Sequence, residues 1–197
     1  ELTALTVAEA MSFQDALYLV QARASAMAEC AAHHPGAMLA VIGLPPEAIQ
    51  DICRRAEVVA ANLNAQDQVV LSGTAPAIEA AEGLAKARGA KQAVRLEVAG
   101  AFHSPLMQEA ADRFRQAVAK VSFAQPKFPV ISNVTGQPVS DARAIPEILV
   151  KQIVSPVQWE ASMRFLVGRG AAVFVEFPPA RVLTGLLPVP LARQMLA

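Results

Sequence analysis

The chain has 197 residues, 54% hydrophobic and 17% charged, and its 17 basic and 17 acidic side chains cancel to a formal charge of zero. That length and apolarity suffice for a core in one large or two small domains and exclude disorder, while the charge balance argues against a generic nucleic-acid binder. No apolar run reaches the ~18 residues of a membrane span and no signal peptide is expected; Cys30 and Cys53 fall in helical patterns, as small buried hydrophobes of a reduced, cytoplasmic protein do.

Ser12-Phe13-Gln14-Asp15 is a variant capping box opening a helix that runs to about residue 30, and His33-His34-Pro35-Gly36 breaks it. Phe13, Ala16, Val20, Arg23 and Met27 recur in it at spacings of three and four, which puts Arg23 on the apolar stripe. A guanidinium so placed needs a partner, because burying it unpaired costs several kcal/mol, roughly. The partner is either a core Asp or Glu or a ligand carboxylate gripped by the planar fork.

The next block has a regular rhythm. Residues 37–43 form an apolar strand, 45–55 a helix opened by Pro-Pro-Glu, 57–63 and 68–72 two strands, 76–88 a helix closed by Gly89, and 91–98 a strand. The order βαββαβ is the ferredoxin-like pattern. It occupies residues 36–98 as a small unit set within a larger one made of residues 1–35 and 99–197. Asn62 and Asn64 end a strand and alternate with Leu63; asparagines at such ends are commonly turn formers.

Gly100-Ala101-Phe102-His103-Ser104-Pro105-Leu106-Met107 is the most informative stretch. Ser104 suits an N-cap and Pro105 the first helical turn, and Leu106, Ala110, Phe114, Ala117 and Val121 continue an apolar stripe. His103 is thus expected beside the positive end of a helix dipole, which keeps its ring neutral and able to accept a proton. A structural histidine beside a cap fits the same residues. Farther on, residues 129–133 read as a short buried strand ending in a Gly136 turn, and 145–154 and 157–169 as helices split by Ser155-Pro156. Residues 171–177 read as a strand, and a further helical stretch begins at Arg181. This alternation predicts an α/β layer with a parallel sheet.

Four more segments join the His103 stretch in order and spacing: Glu1-Leu2-Thr3-Ala4-Leu5; Gln21-Ala22-Arg23; Asn62-Leu63-Asn64 with Gln68-Val69-Val70-Leu71-Ser72-Gly73; and Lys151-Gln152-Ile153-Val154-Ser155-Pro156-Val157-Gln158-Trp159. Together, over residues 1–186, they resemble the malonyl-CoA:acyl carrier protein transacylases and the related acyltransferase domains of polyketide synthases. The resemblance implies an α/β-hydrolase-like acyltransferase core with an inserted ferredoxin-like subdomain. In that family Gly-His-Ser-Leu-Gly stands directly before a glutamate like Glu1, and no Gly-x-Ser-x-Gly elbow occurs in this sequence. The chain is therefore expected to be a C-terminal portion, its core incomplete and inactive by itself, with the nucleophilic serine upstream of Glu1.

The implied reaction moves malonyl from coenzyme A to the phosphopantetheine thiol of acyl carrier protein through an acyl-serine, in bacterial fatty-acid synthesis. His103 would be the general base and then the acid, oriented by a main-chain carbonyl at Gln152. Arg23 would hold the malonyl carboxylate. Asn62, Asn64 and Met27 would line the acyl pocket, and Phe102 would crowd out an α-methyl branch; a core phenylalanine and a surface glutamine are the plainer readings of Phe102 and Gln152. No cofactor or metal is implied, coenzyme A arriving as thioester substrate, and the partners are malonyl-CoA and acyl carrier protein, not nucleic acid or membrane; a monomer is expected. A polyketide-synthase acyltransferase domain and a non-catalytic ligand-binding module remain the alternatives. His33-His34 lacks companion ligands for a metal, and Lys86, Arg88 and Lys91 cluster at a turn that either is solvated or meets an anionic partner. The chain departs from the family at Phe177-Pro178-Pro179-Ala180, where Gly-Pro-Gly is usual, and at Leu187-Pro188-Val189-Pro190, where proline breaks the expected helix.

Overall fold

The computed structural model describes residues 1–177 and 182–187. After the short α1 (Leu2–Val7), Ser12 opens the long α2 (Phe13–His33): its hydroxyl accepts the Asp15 N–H, so the capping variant works as a cap. The buried side of α2 is formed by Ala16, Leu19, Ala26, Met27, Cys30 and Ala31. The expected stripe is only half right, since Phe13 is 69% and Val20 49% exposed. The helix is apolar nearly all round, so spacing alone does not single out the face that meets the core.

Residues 36–98 fold as a unit. β1 (Ala37–Ile42), α3 (Pro46–Ala56), β2 (Val59–Ala65), β3 (Gln68–Gly73), α4 (Ala75–Ala87) and β4 (Gln92–Arg95) follow the expected βαββαβ order. The strands lie as β2-β3-β1-β4, with all pairings antiparallel. Alternation divides the sheet. Leu39 and Val41 of β1 face Ile49 and Ile52 of α3 and Ile78 and Ala81 of α4, while Met38 and Ala40 point to the other side with Ala61, Val70 and Phe102. β4 is shorter than the expected 91–98.

The histidine segment follows. Pro105–Met107 form a 3₁₀ turn that leads into α5 (Gln108–Val118), whose Ala110, Ala111 and Phe114 pack in the helical core with Leu19 and Met27 of α2. After a 3₁₀ turn at Ala142–Ala144 come α6 (Ile145–Lys151) and α7 (Trp159–Gly168), divided at Ser155-Pro156 as expected. A last 3₁₀ turn covers Thr184–Leu186.

The parallel sheet expected beyond residue 99 is not formed among the described residues. Residues 129–133 contribute one antiparallel bridge, Ile131 to Pro138, and residues 171–177 form no strand, with Val175 66% and Phe177 82% exposed. A strand needs a neighbour along its length to take its backbone hydrogen bonds; residues 130–132 exchange two with residues 137–139, Ser132 N–H to the Gln137 carbonyl at 2.9 Å and Val139 N–H to the Val130 carbonyl at 2.8 Å, which makes a bridge and not a strand. The helical stretch expected from Arg181 and the proline-rich departures fall mainly outside the described residues. Among those residues no helix is long and apolar enough to cross a membrane.

Candidate active site

The site forms where the helical core meets the second face of the sheet. Two close approaches make that seam possible. A Cβ on Gly36 would stand 2.5 Å from the Ala101 Cβ and 2.8 Å from its backbone nitrogen, and one on Gly100 would stand 2.7 Å from the Ala31 Cβ. Only glycine lets the chain before β1 and the end of α2 press against residues 100–101 in this way.

Those contacts fix the turn that carries the histidine. The buried Ser104 hydroxyl donates to the Ala101 carbonyl at 2.6 Å and accepts the Leu106 N–H, closing the turn around Phe102 and His103. His103 itself has φ +57°, a left-handed conformation that costs a non-glycine residue about 1–3 kcal/mol and persists where surrounding contacts impose it.

His103 Nδ1 lies 3.0 Å from the Gln152 main-chain carbonyl. A carbonyl only accepts, so Nδ1 carries the proton and the neutral ring keeps its lone pair on Nε2. Burial holds the ring's pKa below its ordinary value; the Gln152 and Ser155 carbonyls oppose that, and the Arg23 charge reinforces it. Desolvation and a neighbouring cation thus both favour the neutral ring.

Arg23 is half-buried, and its Nη2 donates to the side-chain Oε1 of Gln152 at 2.9 Å. Desolvation pulls the guanidinium below its ordinary pKa, and the Glu1 carboxylate opposes that through space, without a hydrogen bond to it. The internal acidic partner that sequence reasoning weighed is thus absent among the described residues; a neutral amide holds the cation. Arg23 stands between two cavities. One, of about 490 Å³, is lined by Met27 of α2, Met38 of β1, Asn62 of β2, Phe102 and His103. The other, of about 210 Å³, lies among Glu1, Phe114, Leu149 and Gln152.

Five of the seven singled-out residues (Arg23, Met27, Asn62, Phe102 and His103) therefore share one cleft, and Gln152 supports two of them from behind. Asn64 does not join them. The β2–β3 register slips between Leu63 and Ala65, and Asn64 lines a separate depression with Asp67, Gln68 and Arg164. Strict alternation would have kept it beside Asn62, so a bulge removed it.

Two side-chain contacts escape sequence reasoning. Glu1 bonds the Asn133 N–H through Oε1 at 2.7 Å, while its Oε2 is buried without a partner. In sequence the Gln152 side chain reads most plainly as that of a surface glutamine, and only its contact with Arg23, 129 positions away, reveals its part in the site. The loop holding Gln152 is stitched to the sheet by Val157, whose N–H meets the Ala61 carbonyl at 2.8 Å and whose carbonyl accepts the Leu63 N–H at 2.9 Å.

His33 and His34 both lie 3.5 Å from the half-buried Glu109 carboxylate, and no described group of three or more His, Cys, Asp or Glu side chains is arranged to hold a metal ion. Lys86 and Arg88 are paired with Glu82 and Asp51. Burial raises the Cys53 thiol above its ordinary pKa, which disfavours the reactive thiolate.

Comparison with known proteins bears on this arrangement. The chain is 40% identical over 192 residues to the malonyl CoA-acyl carrier protein transacylase of Bacillus subtilis, a match covering 95% of this chain and 61% of that protein. The structure of the malonyl CoA-acyl carrier protein transacylase from Coxiella burnetii superposes with a TM-score of 0.92 at 41% identity, over 99% of this chain and 63% of that one. A malonyl-transacylase solved in complex with a type II PKS acyl-carrier protein gives 0.90 at 35% identity, over 98% and 64%. The chain thus spans a little over three-fifths of these relatives. The model of the acyl transferase domain matches residues 1–194, and the chain belongs to that family.

Proposed function

We propose that this chain supplies the base and the carboxylate grip of a malonyl-CoA:acyl carrier protein transacylase of fatty-acid synthesis. The observation that carries the reading is the shared cleft: a neutral imidazole with Nε2 unprotonated and a half-buried guanidinium without a carboxylate hydrogen-bonded to it open on the same space. Such a pair suits a substrate with a reactive acyl carbon at one end and a free carboxylate at the other. A serine hydroxyl outside residues 1–197 attacks the thioester carbonyl while His103 Nε2 takes its proton. The C–S bond then breaks, and the imidazolium returns the proton to the departing thiolate of coenzyme A. The carrier's phosphopantetheine thiol attacks the acyl-serine in the same manner, restoring the hydroxyl.

Arg23 grips the malonyl carboxylate, Met27 and Asn62 wall the acyl group, and Phe102 leaves little space for an α-methyl branch. Asn64, in its separate depression, is left out of the pocket. The coenzyme A thioester is a substrate, and no cofactor enters these steps. We read residues 36–98 as a ferredoxin-like subdomain and residues 1–35 with 99–197 as part of an α/β-hydrolase-like core, in a cytoplasmic monomer that engages neither nucleic acid nor membrane. A polyketide carrier is the second acceptor to consider, given the likeness to the transacylase solved with such a carrier; assaying both carriers distinguishes the two.

The test is Arg23→Ala in the full-length enzyme. It should lower kcat/KM for malonyl-CoA by about 10- to 150-fold, the scale of a charge-assisted hydrogen bond of ~1.5–3 kcal/mol, and lower that for acetyl-CoA, which lacks the carboxylate, far less. Equal losses for both would make Arg23 structural and end the reading.

A further inference from the structure

Gln152 uses its two ends differently. Its main-chain carbonyl accepts from His103 Nδ1, and its side-chain oxygen accepts from Arg23 Nη2. We propose that the Gln152 side chain is a specificity-determining positioning residue: it holds the Arg23 fork, with its charge intact, at a fixed place relative to His103, so that the site selects acyl groups ending in a carboxylate. This rests on the function proposed above and assigns that selectivity to a second residue.

Three observations support it. The hydrogen bond to Gln152 is the one Arg23 makes among the described residues, and an arginine side chain left without it is free to sample many rotamers. The anchor is electrically neutral. An amide oxygen orients a guanidinium without cancelling its charge, whereas a carboxylate there would form the ion pair that the ligand is meant to form. Glu1, the acid that acts on Arg23, does so only through space and spends one oxygen on the Asn133 N–H.

The third observation is the rigidity of the anchor. Gln152 is 8% exposed, and its own N–H is held by the Ile148 carbonyl at 2.9 Å at the end of α6. The carbonyl that orients His103 therefore belongs to a backbone fixed independently of the side chain. Base and cation are thereby tied to one residue. For a substrate whose carboxylate and reacting carbon are themselves joined by a short chain, both ends must register at once, and small misplacement of either is expensive.

The experiment compares Gln152→Leu and Gln152→Glu with the parent in the full-length enzyme, measuring kcat/KM for malonyl-CoA and acetyl-CoA against pH. Gln152→Leu keeps the carbonyl and removes the amide. It should lower the malonyl value about 10-fold or more, with a several-fold smaller loss for acetyl and the acid limb of the acetyl profile in place. Gln152→Glu should cut malonyl transfer further by pairing with Arg23, and should move the acid limb to higher pH, because a new carboxylate beside His103 favours imidazolium.

Equal losses for both substrates in Gln152→Leu, or no loss for either, would overturn the proposal. If Gln152→Leu fails to fold, Gln152→Met, close to glutamine in length and volume, carries the same comparison. Arg23→Ala assayed in parallel separates the two ideas. A changed malonyl-to-acetyl ratio in Arg23→Ala but not in Gln152→Leu sinks only the role of Gln152; an unchanged ratio in Arg23→Ala sinks the carboxylate grip itself.

Discussion

Within residues 36–98 every strand pairs with another strand of the same stretch, and two helices cover one face, packing against it with Ile52, Ile78 and Leu39 fully buried. The seam that carries His103 is built otherwise. Its contacts join α2 to residues 100–107, residue 23 to residue 152, and Val157 to the edge strand β2. Glycines differ in the room around them. Gly83 in α4 has nothing within 4 Å of where a Cβ would stand, whereas where the unit meets the seam a Cβ on Gly36, its first residue, would collide with Ala101, and one on Gly100 with Ala31. A positive φ occurs in both regions, at Glu57, where it ends α3, and at His103, where contacts distant in sequence hold it. Such strain concentrates where a side chain must be aimed.

The comparison can be broken most decisively at His103. On the proposed function, His103→Ala in the full-length protein should slow acyl-serine formation by about 10²–10⁴-fold, the usual contribution of a positioned general base, with the circular dichroism spectrum and Tm nearly unchanged. A normally folded variant that acylates at the parental rate would return His103 to the role of a residue beside a cap. The pH dependence has a definite sign. Burial holds the ring below its ordinary value of 6.5, so Nε2 stays unprotonated at that pH and the acid limb of kcat/KM lies below it. Because the folded chain binds this proton more weakly than the unfolded one, its contribution to stability also declines as pH falls from 6.5 through the lowered value. An acid limb above 6.5 would contradict the buried, cation-flanked environment.

The seam's packing is tested next. Gly36→Ala should cost about 1–3 kcal/mol, as overpacking of a close contact does, and should slow acyl transfer as well, because Ala101 carries the turn before His103. A neutral effect on urea unfolding would mean that the approach relaxes without consequence. The smallest effect, of opposite sign, belongs to the sheet unit. Gly83→Ala lies in a helix with open space around it and should stabilise by about 0.5–1 kcal/mol through helix propensity, leaving activity alone. Destabilisation there would erase the proposed contrast between the two regions.

Much of this protein was legible from residue order. Ser12 and Ser104 mark the starts of their elements, and each is seen capping with its side chain. Gly89, with φ +78°, ends the α4 turn. The antiparallel unit follows from alternation and short connections, because its hydrogen-bond partners are near in the chain. Arg23 stood out because its charge falls on an apolar stripe, and His103 because it stands just ahead of a helix start.

What sequence could not supply was direction and distance. Spacing on α2 misjudged Phe13 and Val20, since a helix apolar on most sides does not declare which side is buried. Strands were expected at 129–133 and 171–177 from short buried runs alternating with helices, but an extended segment becomes a strand only when a neighbour runs along its length. One slip of register separated Asn64 from Asn62. The dual use of Gln152 was invisible for the same reason: local pattern constrains a residue to its own helix or turn, while hydrogen bonds across 129 and 49 positions exist only after the chain has brought α2, the histidine turn and the end of α6 together.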